Sequence, residues 1–243
     1  MTPDLPATLR TIERDGELLI ATCEANPQAA IRHCPGWTAT DLALHTTGVH
    51  RRVAHWCAER VSEPCRWPDH EPADPSTPGE WCREGLRLVT AALAGIGPDE
   101  PVWSWTDRRN GGFYHRRMLH ETVLHRWDAQ DAVGVSGHID ADIAHDGIDE
   151  VIDVGLRYRG DGSPIDYPDG DVVLEQAGSR SRWRLRAVDG TLLVARDADA
   201  GAAAAATVHG TAEDLLLYLW GRSGHVTVTG DVEVATAWSA VAP

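Results

Sequence analysis

The sequence contains no lysine. All 22 basic residues are arginine, 37 residues are acidic, and the formal net charge is −15. An acidic surface of this kind repels phosphate backbones, so nucleic acid is disfavoured as a partner. The missing lysine, with abundant alanine and ten tryptophans, is typical of a GC-rich coding genome such as that of an actinobacterium.

Long hydrophobic runs are also absent. The longest, residues 201–208, is far shorter than the ~20 residues that cross a bilayer. Residues 1–19 carry charges where a signal peptide has its apolar core. We therefore expect a cytoplasmic protein with no membrane partner, acting on a small molecule as a monomer or homodimer.

Cysteine is scarce, and all five cysteines lie in the first third of the chain. The count is odd and no C-x-x-C pair occurs, which disfavours a disulfide framework and a zinc ribbon. A reduced compartment fits this usage. Small apolar filler is the predicted role, with one reactive thiol as the alternative.

The periodicity of apolar residues changes along the chain and predicts an α+β fold. The first domain, residues 1–160, is predicted as a helical bundle with a proline-rich loop over residues 64–78 and helices over 6–24, 39–61, 81–94, 114–133 and 139–158. Gly and Pro residues between 160 and 170 mark a linker. A small α/β domain over 168–243 follows, with strands at 172–176, 183–187, 191–195, 207–209 and 225–229 and helices at 214–220 and 232–240.

Histidine is abundant, so placement decides which histidines matter. In the second predicted helix, His45 lies within the apolar stripe, about 20° from Trp56 at 100° per residue. His50 lies about 140° from His45, and His55 about 80° away on the other side, so both are expected nearer the solvent. His45 is expected to point into the bundle.

The fourth predicted helix carries Glu121 and His125, which are four residues apart and share one face. It is not an H-E-x-x-H motif, because His120 and His125 are five residues apart and lie about 140° apart around the helix. Asp128 follows one turn beyond His125 and is a candidate to orient it. Arg116 and Arg117 are interpreted as surface charge, with Asp128 as an alternative partner for one of them.

A divalent metal, zinc first among them, would explain His45, Glu121 and His125 together. Burying such groups without compensation costs several kcal/mol, and two imidazoles with one carboxylate form a common catalytic zinc shell with an open position. The spacing alone leaves a second interpretation open. In that interpretation His45 is a core histidine, Glu121 and His125 share a hydrogen bond, and no metal binds.

Two segments resemble the motifs of the mycothiol-dependent maleylpyruvate isomerase family, a branch of the DinB-like metalloenzymes. They are residues 34–45, CPGWTATDLALH, and residues 116–129, RRMLHETVLHRWDA. Three shorter matches follow in order, namely 146–150 (DGIDE), 214–222 (DLLLYLWGR) and 230–231 (GD). The later ones resemble the family's second domain, which is similar to sterol carrier proteins.

The resemblance implies a DinB-like bundle that holds zinc through His45, Glu121 and His125. In such an isomerase the metal lowers the pKa of mycothiol, and the thiolate adds to a conjugated substrate. Rotation about the new single bond and loss of the thiolate give the isomer. Arg222 would hold a substrate carboxylate, unless it simply caps its helix.

Three functions are consistent with these features. The leading hypothesis is a metal enzyme that uses a thiol for isomerisation or S-transfer on a small anionic electrophile. The first alternative is a thiol-independent metal-dependent hydrolase in which Asp128 or another carboxylate acts as general base. The second is a non-catalytic member that binds a small ligand, since a shared fold does not fix chemistry.

Overall fold

The chain forms two compact units in the computed structural model, which describes residues 4–65, 72, 78–197, 204–222 and 224–241. The first unit covers residues 2–138 and the second covers residues 139–243. The proline-rich loop expected over residues 64–78 falls largely outside the described residues. None of the described helices is long and apolar enough to span a membrane.

The first unit is built from four helices. They are α1 (Leu5–Ala25), α2 (Ala39–Glu59), α3 (Gly79–Ala94) and α4 (Gly111–Ala132). The predicted helices are confirmed to within a few residues. α1 packs against the other three helices, and α2 packs against both α3 and α4, so α2 buries residues on more than one side.

Side-chain caps fix where the two functional helices begin. Thr38 and Asp41 form the expected capping box at the start of α2, each side chain bonding the other residue's backbone N–H. Asn110 caps α4 by accepting a hydrogen bond from the backbone N–H of Phe113. Because each cap sets the first turn, it also sets the direction of the side chains further along the helix.

The second unit is a five-stranded mixed sheet with three helices. Its strands, in the order β3-β2-β1-β4-β5, are β1 (Val172–Gln176), β2 (Arg182–Val188), β3 (Thr191–Arg196), β4 (Ala206–Gly210) and β5 (Thr227–Gly230). Its helices are α5 (Ala141–Glu150), α6 (Ala212–Leu219) and α7 (Val232–Ser239). The predicted hairpin is confirmed, and Asp189 and Gly190 both have positive φ, as the tight turn between β2 and β3 requires.

Two features differ from the sequence-based expectation. The fifth helix was expected in the bundle, but α5 packs against α6 in the second unit. The described chain therefore divides after residue 138, ahead of the expected linker at 160–170. The helix also ends earlier, because a π-helical turn over Val151–Gly155 follows it, with the Leu156 N–H bonded to the Val151 carbonyl at 2.7 Å.

The cysteines are all free thiols. Cys23, Cys57 and Cys82 are buried, and burial raises the pKa of Cys23 and of Cys57 to about 12. These thiols are therefore neutral at physiological pH, which agrees with the role of apolar filler.

Gly111, at the start of α4, is expected to tolerate no side chain. A Cβ there would clash with the carbonyl oxygen of Gly97, which belongs to the backbone and cannot rotate away. We expect Gly111→Ala to lower the free energy of unfolding by about 1–3 kcal/mol. A matched control is Gly48→Ala in α2, where a Cβ meets nothing within 4 Å and a gain of up to about 1 kcal/mol is expected. Equal changes in the free energy of unfolding for the two variants, measured by urea titration, would contradict this account of α4.

Candidate metal centre

Three side chains from α2 and α4 converge on one point. The Nε2 atoms of His45 and His125 lie 3.5 Å and 3.4 Å from Oε1 of Glu121. One donor atom from each of the three residues lies within 4.8 Å of the other two. Two imidazole nitrogens and one carboxylate oxygen at this spacing match the donor set of a three-residue zinc shell with an open position. The residues therefore fit a divalent metal.

The three donors differ in exposure. Glu121 and His125 are buried, at 7% and 8% relative exposure, whereas the side chain of His45 is 40% exposed. His45 was expected to point inward, and instead it stands at the solvent-accessible edge of the cluster. The cluster consequently has one face that an incoming molecule can reach.

His50 also differs from expectation. It was expected near the solvent, but it is buried at 3% exposure, and its Nε2 lies 2.9 Å from Oγ1 of Thr122 on α4. The reason is that α2 packs on several helices at once, so more than one stripe of it is buried. Burial lowers the pKa of His50 to about 4, so its imidazole is neutral and joins the two helices next to the cluster.

The two oxygens of Glu121 have separate partners. Oε1 faces the two histidines, while Oε2 accepts a hydrogen bond from Nη2 of Arg117 at 2.5 Å. Arg117 was expected to be surface charge, but its side chain is only 12% exposed. Burial alone would raise the pKa of Glu121, and the charges of His125 and Arg117 outweigh it and hold that pKa well below its usual value. The carboxylate is therefore ionised, with one oxygen left for a metal.

The structure places Asp128 in contact with His125. Its Oδ2 lies 3.0 Å from Nδ1 of His125, and Asp128 is almost fully buried. With Nδ1 bonded to a carboxylate, the Nε2 atom is turned toward Glu121 and His45. His120 is not part of the cluster, in agreement with the helical geometry.

Trp37 is a site residue that the sequence did not single out. Its ring centroid lies 4.8 Å from that of His45, tilted by 53°. The contact restricts the orientation of the His45 ring. The available signal was its position in the segment 34–45, which resembles a family motif.

Comparison with known families agrees with these features. The model of the mycothiol maleylpyruvate isomerase N-terminal domain matches residues 9–130, and the model of the C-terminal domain of the same family matches residues 142–237. The chain belongs to the mycothiol maleylpyruvate isomerase family. No curated protein and no solved structure matches it.

Arg222 lies in the second domain of this family member, just after α6. Its Nη1 donates to the Trp220 carbonyl oxygen at 2.6 Å, and its Cζ lies 5.6 Å from the centroid of the Trp220 ring. This is the helix-capping arrangement that the sequence left open. A substrate contact by Arg222 stays a prediction.

Removing His45 is expected to abolish tight metal binding without unfolding the protein, because this donor is exposed. We expect the wild type to hold about one zinc per chain and His45→Ala to bind zinc more than about 100-fold more weakly. That loss is larger than the about 10- to 100-fold loss expected when a residue that only hydrogen-bonds to a metal ligand is removed. His55→Ala on the same helix is the control. Elemental analysis and zinc titration make the comparison, and equal zinc in all three proteins would contradict the site.

Metal binding is expected to weaken as the pH falls. Burial alone would lower the pKa of His125, but the carboxylates of Glu121 and Asp128 outweigh it and raise that pKa to about 9. A metal must displace this proton, so the association constant should fall about tenfold per pH unit from pH 9 to pH 7. In the metal-free protein, the stabilisation from protonated His125 is present below pH 6.5 and is lost as the pH rises through about 9.

Competition titrations with a chelator across this pH range measure the first effect, and urea titrations of the metal-free protein measure the second. An association constant that stays the same from pH 7 to pH 9 would contradict competition between the metal and a proton on His125 in this range.

Proposed function

We propose that this protein is a metal-dependent enzyme that uses a low-molecular-weight thiol, mycothiol, for isomerisation or S-transfer on a small anionic electrophile. The observation that carries the proposal is the three-donor cluster with two buried donors and one exposed donor. Such a cluster fixes a metal firmly and still leaves one face open to a thiol. Membership of the family supports mycothiol as that thiol.

The donor set favours an anionic ligand at the open position. Glu121 contributes one negative charge, and the two histidines contribute none when they act as ligands, so the side chains neutralise only half of a divalent charge. A bound zinc ion would lower the pKa of a thiol that reaches it. The remaining positive charge is what makes a thiolate favourable there.

Residues around the cluster hold its donors in place. Asp128 bonds Nδ1 of His125, Arg117 bonds Oε2 of Glu121, and Trp37 packs on His45. Each donor therefore has its own support, and little reorganisation is needed when a metal binds. Asp128 serves catalysis through His125 in this proposal.

The geometry of Asp128 argues against this residue as the general base of the hydrolase alternative. A general base must reach a proton on the attacking water. Asp128 is almost fully buried, and one of its oxygens is engaged with His125. The proposed role of Arg222 as a carboxylate ligand is supported by the match of residues 142–237 to the family's C-terminal domain.

Turnover is expected to require both the metal and the thiol. Maleylpyruvate is the first substrate to test, in four mixtures that combine zinc-loaded or chelator-stripped protein with or without mycothiol. We expect turnover in the mixture with both components, a loss of at least about 100-fold in the others, and recovery when zinc is restored.

Each remaining outcome has a distinct meaning. Metal-dependent turnover without thiol, on this substrate or on an ester, would favour the hydrolase. Less than stoichiometric zinc with unchanged thermal stability after chelation would favour the non-catalytic alternative. Turnover unaffected by removal of either component would contradict the proposal.

A further inference from the structure

Two neighbouring side chains on α2 have buried N–H donors without a hydrogen-bond acceptor. The Nε of Arg52 and the Nε1 of Trp56 are shielded from solvent, and neither has a hydrogen-bond partner in the described structure. The Cζ of Arg52 lies 5.5 Å from the centroid of the Trp56 ring, and Trp56 is only 7% exposed. Buried N–H groups are nearly always paired. Two unpaired donors side by side therefore point to a place where an acceptor binds.

The acceptor should be an anion. Among the described residues, no carboxylate forms an ion pair with Arg52. The Nε of the adjacent Arg51 is also buried without a partner. The guanidinium of Arg51 is neutralised, however, because its Nη2 pairs with Glu84 and also donates to the Trp81 carbonyl oxygen at 3.0 Å. An unneutralised guanidinium close to an unpaired indole N–H suits a carboxylate, because each of its two oxygens can accept a hydrogen bond.

The donors lie on the same stripe of α2 as the metal cluster. Arg52 follows His45 by seven residues, which places it about 20° away around the helix and about 10 Å further along the axis. α4 runs antiparallel to α2 here. His45 contacts Glu121, whereas Trp56, which is later in α2, has its ring 6.0 Å from that of Tyr114, which is earlier in α4. The cluster and the donor pair are thus two points along one α2–α4 interface.

We propose that Arg52 and Trp56 bind a carboxylate of the substrate while the substrate's reactive carbon lies at the metal cluster. This deepens the proposed function and rests on it for the reactive end. It specifies an elongated electrophile whose carboxylate lies several bonds away from the reacting carbon. The aromatic rings of Trp103 and Tyr114, each in contact with Trp56, flank the carboxylate end.

The test measures binding of adipate, a flexible dicarboxylate of suitable length, to the zinc-loaded protein by calorimetry. Dimethyl adipate, which has no charge, is the control ligand. We expect Arg52→Met to weaken adipate binding by about 10- to 100-fold and leave dimethyl adipate unchanged. Arg52→Lys should recover part of the loss, because lysine keeps the charge but not the planar fork. Trp56→Phe, which removes the N–H together with part of the indole ring, should weaken binding by several fold.

Arg51→Met is the matched control, and we expect it to bind adipate as the wild type does. Zinc content and melting temperature are recorded for every variant, so that a folding defect is separated from a binding defect. Equal adipate binding by the wild type and Arg52→Met would overturn the proposal and would indicate that the buried donors are satisfied by water only. An equal loss in Arg51→Met would also overturn it, since general surface charge would then explain the effect.

The measurement separates this inference from the proposed function, because it needs neither thiol nor turnover. If mycothiol proves unnecessary but Arg52→Met still loses adipate, the carboxylate site stands and the thiol mechanism fails. If turnover requires mycothiol but Arg52→Met binds adipate normally, the thiol mechanism stands and this site fails.

Discussion

The structure of the first unit depends on the burial of an ionised carboxylate and an imidazole within α4. Every residue of this helix from 118 to 129 is buried, so its polar residues have no solvent face to occupy. Glu121 and His125 are stable there only because charged groups compensate them. Arg117 and Asp128 on the same helix and His45 on α2 supply that compensation, and a cation at the shared point would complete it.

The charges along this stripe of α4 alternate in sign, from Arg117 through Glu121 and His125 to Asp128. This order lets the site exist with or without a metal, because a proton on His125 takes the place of part of the metal's charge. The raised pKa of His125 and the lowered pKa of Glu121 are two expressions of that one arrangement. Proton and metal therefore compete for the same negative charge.

Local signals in the sequence predicted much of this. The Thr38–Asp41 capping box and the Asp189–Gly190 turn depend on adjacent residues, and helical spacing alone put Glu121 beside His125. Long-range packing was less predictable. The burial of His50 depends on how many helices contact α2. Arg117 and Glu121 are also four residues apart, but the burial of Arg117 depends on the packing around α4, where residues 118–129 are all buried and the apolar periodicity is lost. The placement of α5 in the bundle was wrong for the same reason, since the apolar pattern of a helix does not indicate which neighbouring helix it packs against.

Placing both the metal donors and the orphaned Arg52 and Trp56 donors on rigid helices has a further consequence. His45, Arg52 and Trp56 all lie on α2, so the distance from His45 to the two orphaned donors is set by that helix and not by a loop. The hydrogen bond between His50 and Thr122 links the same two helices between these points. A shift of α2 along α4 would therefore move His45 away from Glu121 and His125, while His45 would stay at the same distance from Arg52 and Trp56. The geometry of the three-residue cluster thus depends on the α2–α4 interface.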